Sequence, residues 1–359
     1  MSLMEQTERR QELDRRIQEF HGVDLERVIE VISYLRDEGD SALVGGSLAY
    51  GLGNATSDLD IVVAGPQTID SSSRMPLEHF IETLRVDVWR MMQSEIDELF
   101  VRAEAALASE APFAGAFGDV VEQADLKLLH RLAYGFVIDG EPLRPNGVRD
   151  YNEIARDILV REYAERLRES ALISRLASAA GHSLAAAMNA RYALEQALMA
   201  TSAARGVPFS DNKWLRVHLD QDVPDLKPIY QPFAELPEGE VELREFALAA
   251  LAACGELVDL DLSLEALQAG AVWDRSDLEL LPLGVLTILL SKRHGAVWEL
   301  DPPEVEAWEA MAKEDRWGLA ECDEAQNTLC FELFGVGATS LRWSRGLPIA
   351  EVTVGGGAR

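Results

Sequence analysis

Residues 44–65 read VGGSLAYGLGNATSDLDIVVAG. A glycine pair and a serine, Gly45-Gly46-Ser47, are followed after ten residues by Asp58-Leu59-Asp60 and then an apolar run. Residues two apart in a strand point to one side. Two carboxylates on one face of a strand stand about 6–7 Å apart. They repel, and each raises the other's pKa unless a cation sits between them. Oxygen-rich sites of this kind suit magnesium, held by one or two carboxylates together with substrate phosphates. Ser47 follows the tight glycine turn at an expected helix start, so its hydroxyl and the neighbouring N–H groups form a cradle for phosphate.

The flanking sequence reads as alternating helices and strands. Leu25, Val28, Ile29, Ile32 and Leu35 recur at helical spacing within residues 24–37, and Gly39 closes that helix. The segment ALVGG then predicts a short buried strand, and DLDIVVA a second, β-branched one ended by Gly65-Pro66. A helix is expected near 75–84, leading to a third strand, RVDVWRM, in which Arg85, Asp87 and Trp89 alternate with Val86 and Val88. Asp87 thereby supplies a third carboxylate on a neighbouring strand. Asp58, Asp60 and Asp87 together could hold two cations a few ångströms apart, the arrangement that activates a hydroxyl and neutralises a triphosphate. Helices over 94–109 and 119–133 and a strand and turn in GFVIDGEPL complete a first domain.

The stretch resembles the DNA polymerase β-type nucleotidyltransferase superfamily: a strand, Gly-Ser, roughly ten residues, Asp-x-Asp on the next strand, and a third acid later. Gly46, Ser47, Gly51, Ser57, Asp58, Asp60 and Asp87 all match, within about residues 43–90. Tyr50 departs from the pattern, because small members often carry arginine there. The resemblance implies transfer of a nucleoside monophosphate from a nucleoside triphosphate, ATP favoured, to a hydroxyl, with release of pyrophosphate. It implies that Asp58 and Asp60 bind metal, two magnesium ions in the active complex, and that Asp87 binds the ion nearest the attacking hydroxyl and helps to deprotonate it. Gly45, Gly46 and Ser47 would take the phosphates.

Beyond the first domain, expected over residues 1–150, the texture changes. Alanine, leucine, arginine and glutamate dominate to about residue 205, all strong helix formers. A helical domain over 151–294 is expected, with further helices at 240–255 and 276–292. A small α+β module follows over 295–359: AVWEL as a strand, DPPEVEAWEAM as a helix, another helix over 318–334, then strands in SLRWSRG and AEVTVGG. That order suggests either a winged-helix-like fold or a plain appendage. The fold class is therefore α+β or α/β, a nucleotidyltransferase core followed by an α-helical bundle. This layout resembles that of small-molecule nucleotidyltransferases, including aminoglycoside-modifying ones. On that resemblance Lys213 reaches a triphosphate and Glu195, with Tyr50, lies on the acceptor side. Lys213 reads equally well as a solvated lysine before a buried Trp214, whereas Glu195 reads first as an exposed i,i+4 partner of Arg191. Lys127 and Arg131 could meet phosphates, or form a solvated helix face.

Composition bounds the partners. Acidic residues outnumber basic ones 62 to 33, giving a net charge of −29. That balance disfavours holding long nucleic acid by charge neutralisation and serves solubility. Three dispersed cysteines, Cys254, Cys322 and Cys330, offer neither a disulfide framework nor a zinc spacing. With no apolar leader and no apolar run near the roughly 20 residues that span a bilayer, a cytoplasmic protein is expected. The acceptor, a small molecule or a peptide, is not encoded in any local motif. Protein nucleotidylation, synthesis of a nucleotide signal, or a non-catalytic nucleotide sensor would use the same residues.

Overall fold

The structure is a computed structural model that describes residues 3–65, 76–110, 123–143, 148–207, 212–275, 278–284, 286–291, 296–311, 316–335, 339–347, 349 and 352–354. The chain divides into two compact units. One comprises Met1–Ala108, Phe117–Val160 and Ser202–Pro224, the other Ser109–Ala116, Arg161–Thr201 and Asp225–Arg359.

The first unit is built on strands β1 (Ser41–Gly45), β2 (Leu59–Gly65), β3 (Leu77–Ile81), β4 (Leu84–Met92) and β5 (Phe136–Asp139). They form one mixed sheet in the order β3-β4-β2-β1-β5, in which β4 runs parallel to β2 and the other neighbours are antiparallel. The apolar run of β2 is buried along its whole length because it lies in the centre of that sheet. Helices α1 (Leu3–His21) and α2 (Leu25–Ile32) precede the sheet. Asp24 caps α2, its carboxylate accepting from the Arg27 N–H at 2.7 Å. Leu13, Ile17, Val28 and Ile32 join Val44, Ile61, Val63, Val86, Val88 and Phe136 in one apolar cluster. Strand alternation therefore commits these positions to the core and leaves Asp60, Asp87 and Trp89 on the opposite face. Helices α3 (Gly46–Ala49), α4 (Gln93–Ala108) and α5 (Gln123–Tyr134) follow in chain order, and α5 packs on β1.

The helix expected near 75–84 is instead strand β3, paired antiparallel with β4; residue 75 lies outside the described residues. Leu77–Ile81 contains good helix formers, but pairing with β4 satisfies its backbone groups along a free strand edge, and tertiary context outweighs propensity. Glu82 makes the turn at φ 54°.

The long helices α6 (Tyr151–Ala179) and α7 (Ser183–Ala204) confirm the helical texture after residue 150. Helices α8 (Leu215–Gln221), α9 (Lys227–Tyr230), α10 (Glu240–Leu257) and α11 (Leu264–Ala269) continue it. Strands β6 (Ala271–Arg275), β7 (Leu278–Leu283), β8 (Leu286–Ser291) and β9 (Ala296–Leu300) come next, then α12 (Pro302–Met311), β10 (Arg316–Gly318), α13 (Glu324–Gly335) and β11 (Thr339–Trp343). The helix expected at 276–292 is thus a β-hairpin, β7 paired with β8. Pro282 is excluded from a helix interior, and Gly284, at φ +68°, supplies the turn. Residues 276, 277, 285 and 292 of that expected helix lie outside the described residues. The second unit ends in two small antiparallel sheets, β7-β8-β9 and β10-β6-β11. Its latter sheet takes the central strand, β6, from residues before 295. Of the strand expected in AEVTVGG, Val354 forms a single bridge with Val258; residues 350, 351, 355 and 356 lie outside the described residues. Among the described residues no helix is long and apolar enough to cross a membrane.

Candidate active site

Sheet register brings the opening stretch together. Gly45 on β1 pairs with Asp60 on β2, and Asp60 pairs with Asp87 on β4. Three adjacent strands thus present glycine, carboxylate and carboxylate side by side. Asp58 sits just before β2, two residues from Asp60 and on the same side. A turn sets its position: the Asn54 Oδ1 accepts from the Thr56 N–H at 2.9 Å and from the Thr56 hydroxyl at 2.8 Å, and the Asn54 N–H donates to the Ser57 hydroxyl at 3.0 Å. Each of Asp58, Asp60 and Asp87 offers an oxygen within 4.8 Å of the other two.

The glycines are there for closeness. Gly46 has φ +76°, and a Cβ on it would fall 2.0 Å from Asp60 Oδ2. A Cβ on Gly45 would meet the backbone and Cβ of Arg131 at 3.0 Å. Only bare backbone lets the loop rest against the carboxylate on one side and helix α5 on the other. Beyond this turn the Ser47 carbonyl accepts from both the Leu52 and Gly53 N–H groups at 2.9 Å, closing residues 47–53 on themselves.

Burial pushes the Asp60 carboxyl up to about 6, with Asp58 and Asp87 adding to the rise and Arg131 opposing it. Arg131 Nη2 stands 2.9 Å from Asp60 Oδ1. The contact is an ion pair without hydrogen-bond geometry, so that buried oxygen accepts no hydrogen bond. The Arg131 guanidinium also lies over the Trp89 ring, 4.5 Å from its centroid. Arg85 grips Asp87 with both arms, Nε to Oδ1 at 2.9 Å and Nη2 to Oδ2 at 3.0 Å, and reaches Glu78 at 2.7 Å. Three hard carboxylates facing a loop stripped of side chain match the donor set that a small divalent cation prefers.

Sequence reasoning left Arg131 undecided between a phosphate contact and a solvated face, and did not assign Arg85 or Trp89 to the site. The signal was available in β4, where Arg85, Asp87 and Trp89 alternate onto one face. Lys127, one turn from Arg131, is exposed.

The remaining expected residues lie in varied settings. Ser47 is half-buried on the first turn of α3. The Tyr50 hydroxyl donates to the His130 carbonyl at 3.2 Å, and the Arg9 guanidinium sits 5.3 Å from its ring. Burial holds that phenol well above its ordinary pKa. Lys213 is exposed in a short 3-10 turn, Asn212–Trp214, its Nζ 5.3 Å from the Trp214 ring. Glu195 belongs to the second unit, where the Tyr230 hydroxyl donates to it at 3.1 Å and Arg191 lies at 3.9 Å.

Residues 25–108 match the nucleotidyltransferase domain family. That segment contains Gly45, Gly46, Ser47, Asp58, Asp60 and Asp87, whereas Glu195 and Lys213 lie outside it. Among solved structures, a nucleotidyltransferase-like protein from Exiguobacterium sibiricum is similar at 15% identity, covering 64% of this chain and 73% of that one with a TM-score of 0.33. No curated protein matches the chain.

Proposed function

On the premise that residues 25–108 form a nucleotidyltransferase domain, we propose that this chain moves a nucleoside monophosphate from a nucleoside triphosphate, ATP favoured, to a hydroxyl of a small molecule or peptide, releasing pyrophosphate. The observation that carries the reading is the convergence of Asp58, Asp60 and Asp87, with oxygens within 4.8 Å of one another, against a glycine that touches Asp60.

Asp58 and Asp60 would hold magnesium, and Asp87 would share it. When bound, the metal supplies charge neutralisation for the triphosphate and lowers the pKa of the attacking hydroxyl. Asp87 would accept the hydroxyl proton: it is buried beside Asp60, and the Arg85 side chain that pairs with it is 44% exposed. Gly45, Gly46 and Ser47 present backbone N–H groups and a hydroxyl where the phosphates would lie. Arg131 carries the nearest guanidinium to Asp60 and neutralises excess charge on the phosphate side of the site.

The test is direct. Protein, magnesium and each nucleoside triphosphate are incubated with a panel of hydroxyl acceptors, and pyrophosphate is measured. Release that depends on Asp60 supports the reading. If no triphosphate and acceptor yield pyrophosphate, and calorimetry finds no divalent cation bound at Asp58 and Asp60, the reading fails. Label from α-labelled ATP appearing on the protein itself would assign a polypeptide acceptor instead.

A further inference from the structure

A cavity of about 320 Å³ lies within the first unit, lined by Arg9, Tyr134, Asn152, Glu153 and Arg156 among others. None of the three clustered aspartates lines it. Its volume falls at the lower end of the range of small-molecule sites. Two arginines, Arg9 and Arg156, stand in its wall with the Glu153 carboxylate, and Arg156 is paired with Asp157.

The two arginines are held differently. Arg9 is fixed in place: Nη2 donates to the Tyr134 carbonyl at 2.9 Å and to the Ala49 carbonyl at 3.5 Å, and its guanidinium lies 4.8 Å from the Phe136 ring centroid. Such anchoring orients a guanidinium before any ligand arrives and lowers the cost of binding one. Arg156 uses Nε and Nη2 on Asp157, at 3.2 and 3.0 Å, and its side chain is 40% exposed. Arg9 also connects the cavity to the catalytic loop. Ala49 is the last residue of α3, whose first residue, Gly46, rests on Asp60. One helical turn, about 5 Å, separates them.

We propose that this cavity binds a small organic anion, a carboxylate or a phosphate ester, between Arg9 and Arg156, and that occupancy is transmitted to residues 46–53 through Arg9. Guanidinium recognises both oxyanions through paired, charge-assisted hydrogen bonds. Glu153 in the wall and Asp157 on Arg156 offset the two guanidiniums, which restricts the ligand to low charge; a triphosphate would bring more negative charge than the wall can balance. Binding at one site that alters the other must be reciprocal.

Benzoate and phenyl phosphate serve as probes of the two chemistries. Each is titrated calorimetrically into the full chain at constant ionic strength set with chloride. One probe is expected to saturate at one site per chain, in the unsubstituted protein and in Asp60→Asn alike. Arg156→Ala should weaken that binding at least about tenfold, as expected for loss of a charge-assisted contact, Arg156→Lys should recover part of it, and Glu153→Gln should tighten it. Probe binding should slow amide exchange in residues 46–53, and Arg9→Lys should abolish the slowing. Failure of both probes to saturate in the millimolar range, or binding indifferent to Arg156 and Glu153, overturns the site. Saturable binding with unchanged exchange at residues 46–53 overturns the link to the loop.

Discussion

Each unit of this protein buries a carboxylate against a guanidinium, and the two pairs are built to opposite ends. In the second unit Arg161 and Glu165 are both fully enclosed, Nε to Oε1 at 3.3 Å, and the Leu347 N–H donates to the same oxygen at 2.9 Å. The carboxylate is held by a buried cation and the acceptor is further satisfied. In the first unit three carboxylates share a face, their guanidiniums come from Arg131 and Arg85 with side chains 23% and 44% exposed, and a buried Asp60 oxygen accepts no hydrogen bond. Matched buried charge holds a fold together. Buried charge in excess is costly to the fold and is retained where a cation completes it.

The largest expected effect breaks the first region. Asp60→Asn should reduce pyrophosphate release by about a thousandfold, roughly 4 kcal/mol, while raising the denaturation midpoint of the metal-free protein at neutral pH. Loss of activity together with loss of stability would mean that Asp60 is a structural partner like Glu165. Next in size is the second region. Arg161→Met removes a buried cation from beside Glu165 and should cost about 3–5 kcal/mol by urea denaturation. Arg161→Met combined with Glu165→Met should recover most of that, short of about 1–3 kcal/mol for the orphaned Leu347 N–H. A double variant no better than the single one would refute the matched-pair account.

The same contrast explains what could be read from sequence. The carboxylate cluster was legible because it is local: Asp58 and Asp60 are two residues apart, and Asp87 alternates with Val86 and Val88 in a strand of its own. The mixed sheet was legible too, since the β-branched run Ile61-Val62-Val63 and the glycine turn mark its centre. Strand β3 was not, because Leu77–Ile81 is a strand only by virtue of β4 beside it. The β7–β8 hairpin was hidden by leucine, a good helix former, although Pro282 and Gly284 announced it. Arg131 meets Asp60 from 71 positions away in sequence, and the Arg161–Glu165 pair looks from sequence like any exposed i,i+4 pair. Burial, which gives both their meaning, has no local signature.

A smaller effect separates the regions by pH. The folded Asp60 carboxyl lies at about 6, above its ordinary 3.8, so the folded state favours the protonated form. Its ionisation therefore costs nothing below about pH 4 and costs roughly 3 kcal/mol once pH passes the folded value. His130 slopes the other way: burial lowers it from 6.5 to about 4, so stability falls as pH drops through that window. The unsubstituted protein should therefore show a flattened profile. The stability advantage of Asp60→Asn should be about 3 kcal/mol near pH 7.5 and shrink toward zero near pH 4. Magnesium added near pH 7.5 should remove the advantage by stabilising the unsubstituted protein alone. An advantage independent of pH would show that Asp60 is not paying for its charge.

The smallest effect concerns the third acid. Arg85 grips both oxygens of Asp87, which looks as closed as the Arg161–Glu165 pair. It differs in that Arg85 is 44% exposed and divides itself between Asp87 and Glu78. An exposed guanidinium is solvated and screened, so its pairing contributes little to stability. Its positive charge also repels an incoming cation and occupies the oxygens that cation needs. Arg85→Ala should therefore leave the urea midpoint unchanged and raise affinity for magnesium or manganese about two- to fivefold by calorimetry, with the gain shrinking as salt is added. If Arg85→Ala instead lowers both the midpoint and the metal affinity, Arg85 is to Asp87 what Arg161 is to Glu165, and the open cluster reduces to Asp58 and Asp60.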